Sequence, residues 1–373
     1  MTVLVDATSV PPNRGGVARY LAGLLQGLSE VGERAHVVVK DEDRDWMRSQ
    51  APGHDYLVAP AAVSLRPVRL LWEQVALPAL LRRTGADVLH SPHYTFPLAV
   101  ARRTVVTVHD ATFFTAPQDH GRLKRAFFRA WIRAARRWAA STVVPSRATA
   151  LEAETAVGPA RHAVHVALHG VDRQVFARPE APVVADFAAR HGLDATGWIA
   201  FLGTVEPRKN VPVLLEAHRL LRARDPATPP LLLAGGLGWD ETAGEALRAA
   251  GDVVGAPVRY LGYLPLHDLA PFLGGATVVV YPSSAEGFGL PVLEAMSTGA
   301  AVLTTPRTAL PEVGGDAVAY AEPTVDATAD ALGRLLRSPD ERARLGRAAL
   351  ERAATFSWSA CADVHVGAWG AVT

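Results

Sequence analysis

The sequence predicts an α/β protein of two Rossmann-like domains, each a doubly wound parallel sheet, facing a cleft. Three observations carry this. The chain has 373 residues, too many for one ordinary core and enough for two domains of under about 200 residues each. Short apolar runs alternate with helical patterns through the first half, as in parallel sheets covered by helices on both faces. The same alternation begins again after a Pro-containing stretch at about 178–185, the expected linker. The expected domains are 1–180 and 181–355.

In chain order, residues 3–5 open as a strand. The turn-rich Pro11-Pro12-Asn13-Arg14-Gly15-Gly16 then leads into a helix over about 17–29. Strand-like runs follow at 36–39, 88–90, 104–108 and 142–144. The second half opens with a strand at 198–202, the loop Gly203-Thr204-Val205-Glu206-Pro207-Arg208-Lys209-Asn210 and a helix to about 224. Further strands are expected at 231–234, 258–261, 277–281 and 301–304. A helical, charge-rich stretch covers 327–354. In such sheets ligands bind in the crevice beyond the strands' carboxyl ends.

Composition narrows the function. Hydrophobic residues make up 49% and charged residues 20%, a globular balance. The single cysteine, Cys361, excludes an internal disulfide framework and fits a reducing compartment. No apolar run reaches the roughly 18 residues of a spanning helix. The opening MTVLVDATSV lacks a basic flank and reads as a strand rather than a signal peptide. A cytoplasmic protein is expected. Residues 1–180 hold 23 Lys+Arg against 16 Asp+Glu, while 181–373 hold 15 against 21. The basic front half points to an anionic substrate or surface. It does not point to nucleic acid, because the cations lack interleaved stacking aromatics or a known binding motif.

The most informative stretch is Ser283-Ser284-Ala285-Glu286-Gly287-Phe288-Gly289-Leu290-Pro291-Val292-Leu293-Glu294, directly after an apolar strand. Gly287 and Gly289 permit a tight turn and close approach of a ligand. Pro291 suits a helix's first turn, and Gly299 its stop. Free amides and a helix N-terminus make an anion site. The flanking Glu286 and Glu294 suit sugar and ribose hydroxyls better than phosphate. On spacing alone, a buried strand–loop–helix with incidental acids is an equal reading. Arg208 and Lys209 at a helix start work against the dipole unless an anion sits there, and together they suit a diphosphate. The alternative is an exposed basic pair on a loop. His109-Asp110 closes the strand over 104–108 and reads as a site residue or a structural histidine. Gly15-Gly16 offers amides to a phosphate or simply makes a turn.

Together these pieces resemble glycosyltransferase family four, with its GT-B fold. The resemblance rests on two glutamates separated by seven residues (Glu286 and Glu294), on Glu286-Gly287-Phe288-Gly289-Leu290-Pro291, Gly262-Tyr263-Leu264, the Gly203 to Asn210 segment, Val108-His109-Asp110 and Gly15-Gly16. It runs along nearly the whole chain in order. It implies a retaining, metal-independent glycosyltransferase with no cofactor, the nucleotide-sugar being substrate. Glu294 would bind the ribose and Glu286 the donor sugar. Arg208 and Lys209 would hold the diphosphate. The amides of Gly287, Phe288, Gly289 and Leu290, with Gly16 across the cleft, would complete the cradle. His109 would touch the donor sugar near its reactive carbon, and Tyr263 and Leu264 would lie near the base. Phe356-Ser357-Trp358 is similar to the family's C-terminal signature, which implies that a last helix at about 356–373 crosses back onto the first domain. Leu70-Leu71-Trp72-Glu73-Gln74, Leu89-His90-Ser91-Pro92-His93-Tyr94 and His109-Asp110-Ala111-Thr112-Phe113-Phe114 resemble bacterial mannosyltransferases of surface-polysaccharide synthesis. That favours GDP-mannose as donor and a glycan, lipid-linked or small-molecule acceptor. A UDP-sugar donor, an epimerase or phosphorylase on the same architecture, and a non-catalytic nucleotide-sugar-binding protein are the alternatives. A phosphorylase would need a cofactor lysine, for which no matching context is present.

Three other features carry less. Asp41-Glu42-Asp43 reads as a solvated charged loop rather than a metal motif. Gly235-Gly236-Leu237-Gly238 lacks dinucleotide-binding spacing. Between Arg122 and Trp138, six arginines fall on one helical arc, with Phe127, Phe128, Trp131 and Trp138 opposite. This basic amphipathic helix is expected either to contact an anionic membrane peripherally or to pack on its own domain with a solvated basic face.

Overall fold

A computed structural model describes residues 1–11, 15–193 and 197–372. Pro12, Asn13 and Arg14 of the expected turn lie outside the described residues. The chain divides into two compact units, Met1–Gly170 with Phe356–Thr373, and Val171–Thr355. The expected linker at 178–185 lies inside the second unit, and its latter part opens the helix Ala181–Arg190. Pro182 does not break that helix, because it sits in the first turn, where its missing N–H has no partner to lose.

The first unit carries a seven-stranded sheet. Its strands are β1 (Val3–Asp6), β2 (Ala35–Val39), β3 (Asp55–Val58), β4 (Val88–Ser91), β5 (Thr104–Thr107), β6 (Ser141–Val144) and β7 (Val164–Val166), in the order β3-β2-β1-β4-β5-β6-β7. All pairings are parallel. The second unit carries β8 (Ile199–Leu202), β9 (Leu231–Ala234), β10 (Val258–Gly262), β11 (Val278–Tyr281), β12 (Val302–Thr304) and β13 (Ala319–Tyr320), in the order β10-β9-β8-β11-β12-β13, again all parallel. Strands such as β1, β8, β9 and β11 are buried throughout, which explains their continuous apolar runs.

Three strands escape the sequence pattern: β3, β7 and β13. Each lies at a sheet edge and is partly exposed, with Asp55, His165 or Tyr320 diluting the apolar signal. The helical stretch expected at 327–354 is two helices, Val325–Arg337 and Pro339–Ala353. Pro339 starts the second, and Arg342 caps the first by donating to the carbonyls of Leu335 (2.6 Å) and Leu336 (2.7 Å). Asp41-Glu42-Asp43 is not a loop. It forms the acidic first turn of the helix Asp41–Gln50, where carboxylates face the positive dipole end, and Asp43 is buried against Lys40.

The C-terminal helix Trp358–Gly370 packs within the first unit on the helix Gly16–Glu30. Ser357 caps it, accepting from the amide of Ala360 (3.1 Å). The contact depends on glycine. A Cβ at Gly27 would lie 2.1 Å from the Trp358 carbonyl oxygen, and one at Gly23 the same distance from its indole.

Candidate functional site

The order of the second sheet reverses between β8 and β11, and the loops after these two strands carry the predicted residues. After β8 the chain makes a short 3-10 turn, Pro207–Lys209, and Asn210 adopts a left-handed conformation (φ 50°) before the helix Val211–Arg224. Arg208 and Lys209 therefore precede the helix rather than form its first turn. Asn210 is pinned by its side-chain amide, which donates to the carbonyl of Pro282 (2.9 Å). The loop after β11 returns the contact. The amide of Ser284 (2.8 Å) and the hydroxyls of Ser283 (3.2 Å) and Ser284 (3.0 Å) donate to the Arg208 carbonyl. Two segments more than seventy residues apart are thus tied backbone to backbone at the switch point, where such sheets bind ligands.

Their side chains meet there. Arg208 donates through Nε to Glu206 (2.8 Å) and through Nη1 to the carbonyl of Ala285 (2.8 Å), and pairs directly with Glu286. Glu286 is nearly buried, and its Oε1 also accepts from the hydroxyls of Tyr281 (2.7 Å) and Ser283 (3.0 Å). Burial opposes ionisation of Glu286. The Arg208 and Lys209 cations outweigh it, and the carboxyl is held below its usual range. Lys209 is itself buried, with Nζ 5.6 Å from the Tyr281 ring centroid. Among the described residues, the side-chain contacts of the Glu286 carboxylate all fall on Oε1 rather than Oε2.

The chain then turns through Gly287 and Phe288 to Gly289, whose φ of 102° starts the helix Leu290–Ser297. Its helix ends as expected at Gly299 (φ 77°). The amide of Gly299 donates to the carbonyl of Met296 (3.0 Å) and that of Ala300 to Ala295 (3.3 Å), a Schellman motif. Glu294 is buried on this helix. Tyr263 is exposed and Leu264 half-buried just beyond the end of β10. Gly235 and Gly238 serve packing. Gly235 lies against the carbonyl of Gly203 and Gly238 against the Val205 carbonyl, each too close for a Cβ, while Gly236 faces the movable tip of the exposed Tyr263 side chain.

Sequence reasoning assigned no role of their own to Tyr281, Ser283 and Thr308. The first two lie just before Glu286 and were legible as polar residues closing a buried strand. Thr308 had no local signal. It lies 22 residues from Glu286, has a positive φ of 51°, and its hydroxyl accepts from the Glu286 amide (2.9 Å).

His109 and Gly16 belong to the first unit. Gly16 opens its helix exposed, with open space around it. His109 follows β5, part-buried. Its Nε2 donates to the carbonyl of Pro92 (2.6 Å), which leaves Nδ1 unprotonated in the neutral ring. Burial depresses its pKa more than that carbonyl and Asp110 raise it. Asp110 does not pair with it. Its carboxylate accepts from the amide (3.0 Å) and hydroxyl (2.7 Å) of Thr112. The helix Arg122–Trp138 turns its apolar side inward, with Phe128 stacked on Phe113 (4.5 Å), and leaves Leu123 and Trp138 exposed at its two ends. Among the described residues no group of three or more His, Cys, Asp and Glu could hold a metal, and no helix is long and apolar enough to cross a membrane.

Two parallel α/β units, with cations, a buried carboxylate and a glycine turn at a strand-end switch point, define a GT-B transferase architecture. Comparison narrows this further. Residues 14–175 match the description Glycosyltransferase Family 4, and residues 188–352 match Glycosyl transferases group 1. The chain is 32% identical over 308 residues to O-antigen chain mannosyltransferase B of Escherichia coli, covering 82% of this chain and 78% of that protein. It is 36% identical over 301 residues to D-inositol 3-phosphate glycosyltransferase of Frankia alni, covering 78% and 69%. The crystal structure of Anabaena Alr3699/HepE in complex with UDP-glucose superposes with a TM-score of 0.76 at 16% identity, over 98% of this chain and 99% of that one. The chain belongs to glycosyltransferase family 4 and is a glycosyltransferase.

Proposed function

We propose that the chain transfers a hexose, with retention of anomeric configuration, from a nucleotide-sugar to a glycan, lipid-linked or small-molecule acceptor. The observation that carries this reading is the Arg208–Glu286 junction at the switch point of the second sheet, with buried Lys209 beside it. Arg208 and Lys209 bind the diphosphate and stabilise it as it leaves. Glu286 accepts from a sugar hydroxyl, and Glu294 from the ribose. The amides of Gly287 to Leu290 and of Gly16 complete the anion cradle. His109 faces the sugar near its reactive carbon, and Tyr263 and Leu264 flank the base. The acceptor oxygen attacks the sugar on the face the diphosphate leaves. The C–O bond to phosphate breaks as the new one forms, and the departing phosphate takes the acceptor's proton. Glu286, kept ionised by two cations, serves as a hydrogen-bond acceptor rather than as a proton donor. No metal or cofactor is needed in this scheme.

GDP-mannose is the favoured donor, supported by the kinship with the Escherichia coli mannosyltransferase. A UDP-sugar is the second choice. The reading places the enzyme in the cytoplasm, touching an anionic membrane through the basic side of the helix Arg122–Trp138.

A thermal-shift and calorimetry panel of GDP, UDP, ADP and TDP and their sugar conjugates tests the donor site, without added metal, on wild type and Glu294→Ala. One nucleotide should stabilise wild type, by about 2.7 kcal/mol at 100 times its Kd, and the variant clearly less. Binding that ignores Glu294 removes the donor-site assignment. Binding that appears only with added Mg²⁺ removes the metal-free scheme.

A further inference from the structure

At the amino ends of β5, β6 and β7, a partly open cavity of about 630 Å³ is lined by Arg102, Arg103, Arg137, Trp138, Arg161 and His162. These residues precede three adjacent strands, so the sheet itself gathers them. Among the described residues, no carboxylate lines the cavity. Among the described residues none of the four arginines has an ion pair. Arg103 spends its donors on the backbone carbonyls of Ala86 (2.7 Å) and Asp87 (3.0 Å), which leaves its charge uncompensated. The helix Arg122–Trp138 ends at the cavity, and its terminal carbonyls would repel an anion if left bare. They are capped. Ala135 accepts from the Ala139 amide (3.1 Å) and from His162 Nε2 (2.8 Å), and Arg136 accepts from the Arg161 amide (3.0 Å). Trp138 and Leu98, 50% and 48% exposed, supply apolar surface beside the cations.

We propose that this cavity is a binding site for a phosphate-class anion, either the phosphodiester headgroup of an anionic lipid or a soluble phosphate. Convergent, unneutralised guanidinium groups match phosphate oxygens, and a half-exposed tryptophan beside them suits a lipid interface. The site is at the opposite strand ends from His109 and independent of the donor-site reading.

The test uses the full chain, with Arg137→Glu/Arg161→Glu as the cavity variant. Arg334→Glu/Arg347→Glu, two exposed arginines of the second unit, is the charge-matched control. In the lipid arm, sedimentation with phosphatidylglycerol vesicles at low salt is compared with phosphatidylcholine. In the soluble arm, calorimetry follows inorganic pyrophosphate on an Arg208→Ala background, which weakens the donor site's own contribution and leaves the remainder equal in cavity and control variants. A loss of roughly tenfold or more in vesicle affinity, confined to the cavity variant, identifies the lipid headgroup. A comparable loss confined to pyrophosphate identifies a soluble ligand. No binding in either arm, or equal losses in cavity and control variants, overturns the site. The milder Arg137→Gln/Arg161→Gln pair carries the same comparison if the charge reversal unfolds the chain.

Discussion

Glu286 shows how much one residue depends on distant partners. A nearly buried carboxyl should resist ionisation, yet Arg208 and Lys209 reverse the balance. Replacing Arg208 with Ala should therefore raise the Glu286 pKa, because burial would then be opposed by Lys209 and neutral donors alone. Carboxyl-carbon NMR titration of wild type and variant measures this directly. If nucleoside diphosphate release is followed as well, its acid limb should move to higher pH. An unmoved titration would mean that the ion pair does not set the charge of this carboxyl. The histidine at 109 is a contrasting case: burial keeps its ring neutral, and its tautomer is set by the Pro92 carbonyl.

At the scale of elements, glycines decide how closely two helices approach. Gly23 and Gly27 of the helix Gly16–Glu30, with Gly170, form the socket of Trp358. A Cβ at Gly170 would lie 2.2 Å from the Trp358 amide nitrogen. Alanine at position 27 gains about 1 kcal/mol of helix propensity over glycine. Against that, its Cβ would sit 2.1 Å from a backbone carbonyl, and overpacking of this kind costs roughly 1–3 kcal/mol or more. Gly27→Ala should thus lower the denaturant midpoint and loosen the helix Trp358–Gly370, read by its amide exchange. Unchanged protection would show that the helix is not seated by this contact. The same steric logic explains Gly235 and Gly238, whose role is to let two strand-end loops touch backbone to backbone.

For the whole molecule, the two units should answer acid differently. The first unit buries a hydrogen-bonded network. Tyr20 meets Thr107 (2.9 Å), His365 (2.8 Å) and His90 (3.3 Å), and Trp369 donates to His90 (3.4 Å). Burial depresses His90 and His169, and lowers His365 to about 4 and His93 to about 3. Among the described residues of the second unit, only His191 and His218 are histidines depressed in this way. Below the unfolded histidine pKa of about 6.5, the unfolded chain binds protons that the folded chain refuses. Stability is thus fully present above that pH and is lost on acidification, by up to about 1.4 kcal/mol per pH unit for each such histidine. Glu73 and Glu152, raised by burial to about 7, act in the opposite sense but are fewer. Between pH 6.5 and 4 the first unit should lose amide protection before the second, after correction for intrinsic exchange rates. Prior loss from β8, β9 and β11 would contradict this.

The α/β class, the repeated sheet pattern, the buried central strands, the glycine turn at Gly289 with its helix stop at Gly299, and the family were all legible in the linear order of residues. These are local or periodic properties: an apolar run, a proline in a first turn and a glycine at positive φ act through neighbouring residues. Tertiary structure decided the rest. The edge strands β3, β7 and β13 form because a neighbour supplies their hydrogen bonds, while their half-exposed faces leave little apolar pattern to read. The boundary at Gly170 and Val171, rather than at the proline-containing stretch, reflects packing that no local composition marks. The charge of Glu286, the hydroxyl of Thr308 beneath its amide and the arginine cavity at the amino ends of β5 to β7 each join residues far apart in the chain. Electrostatic energy depends on distance and burial, and only the folded sheets set either.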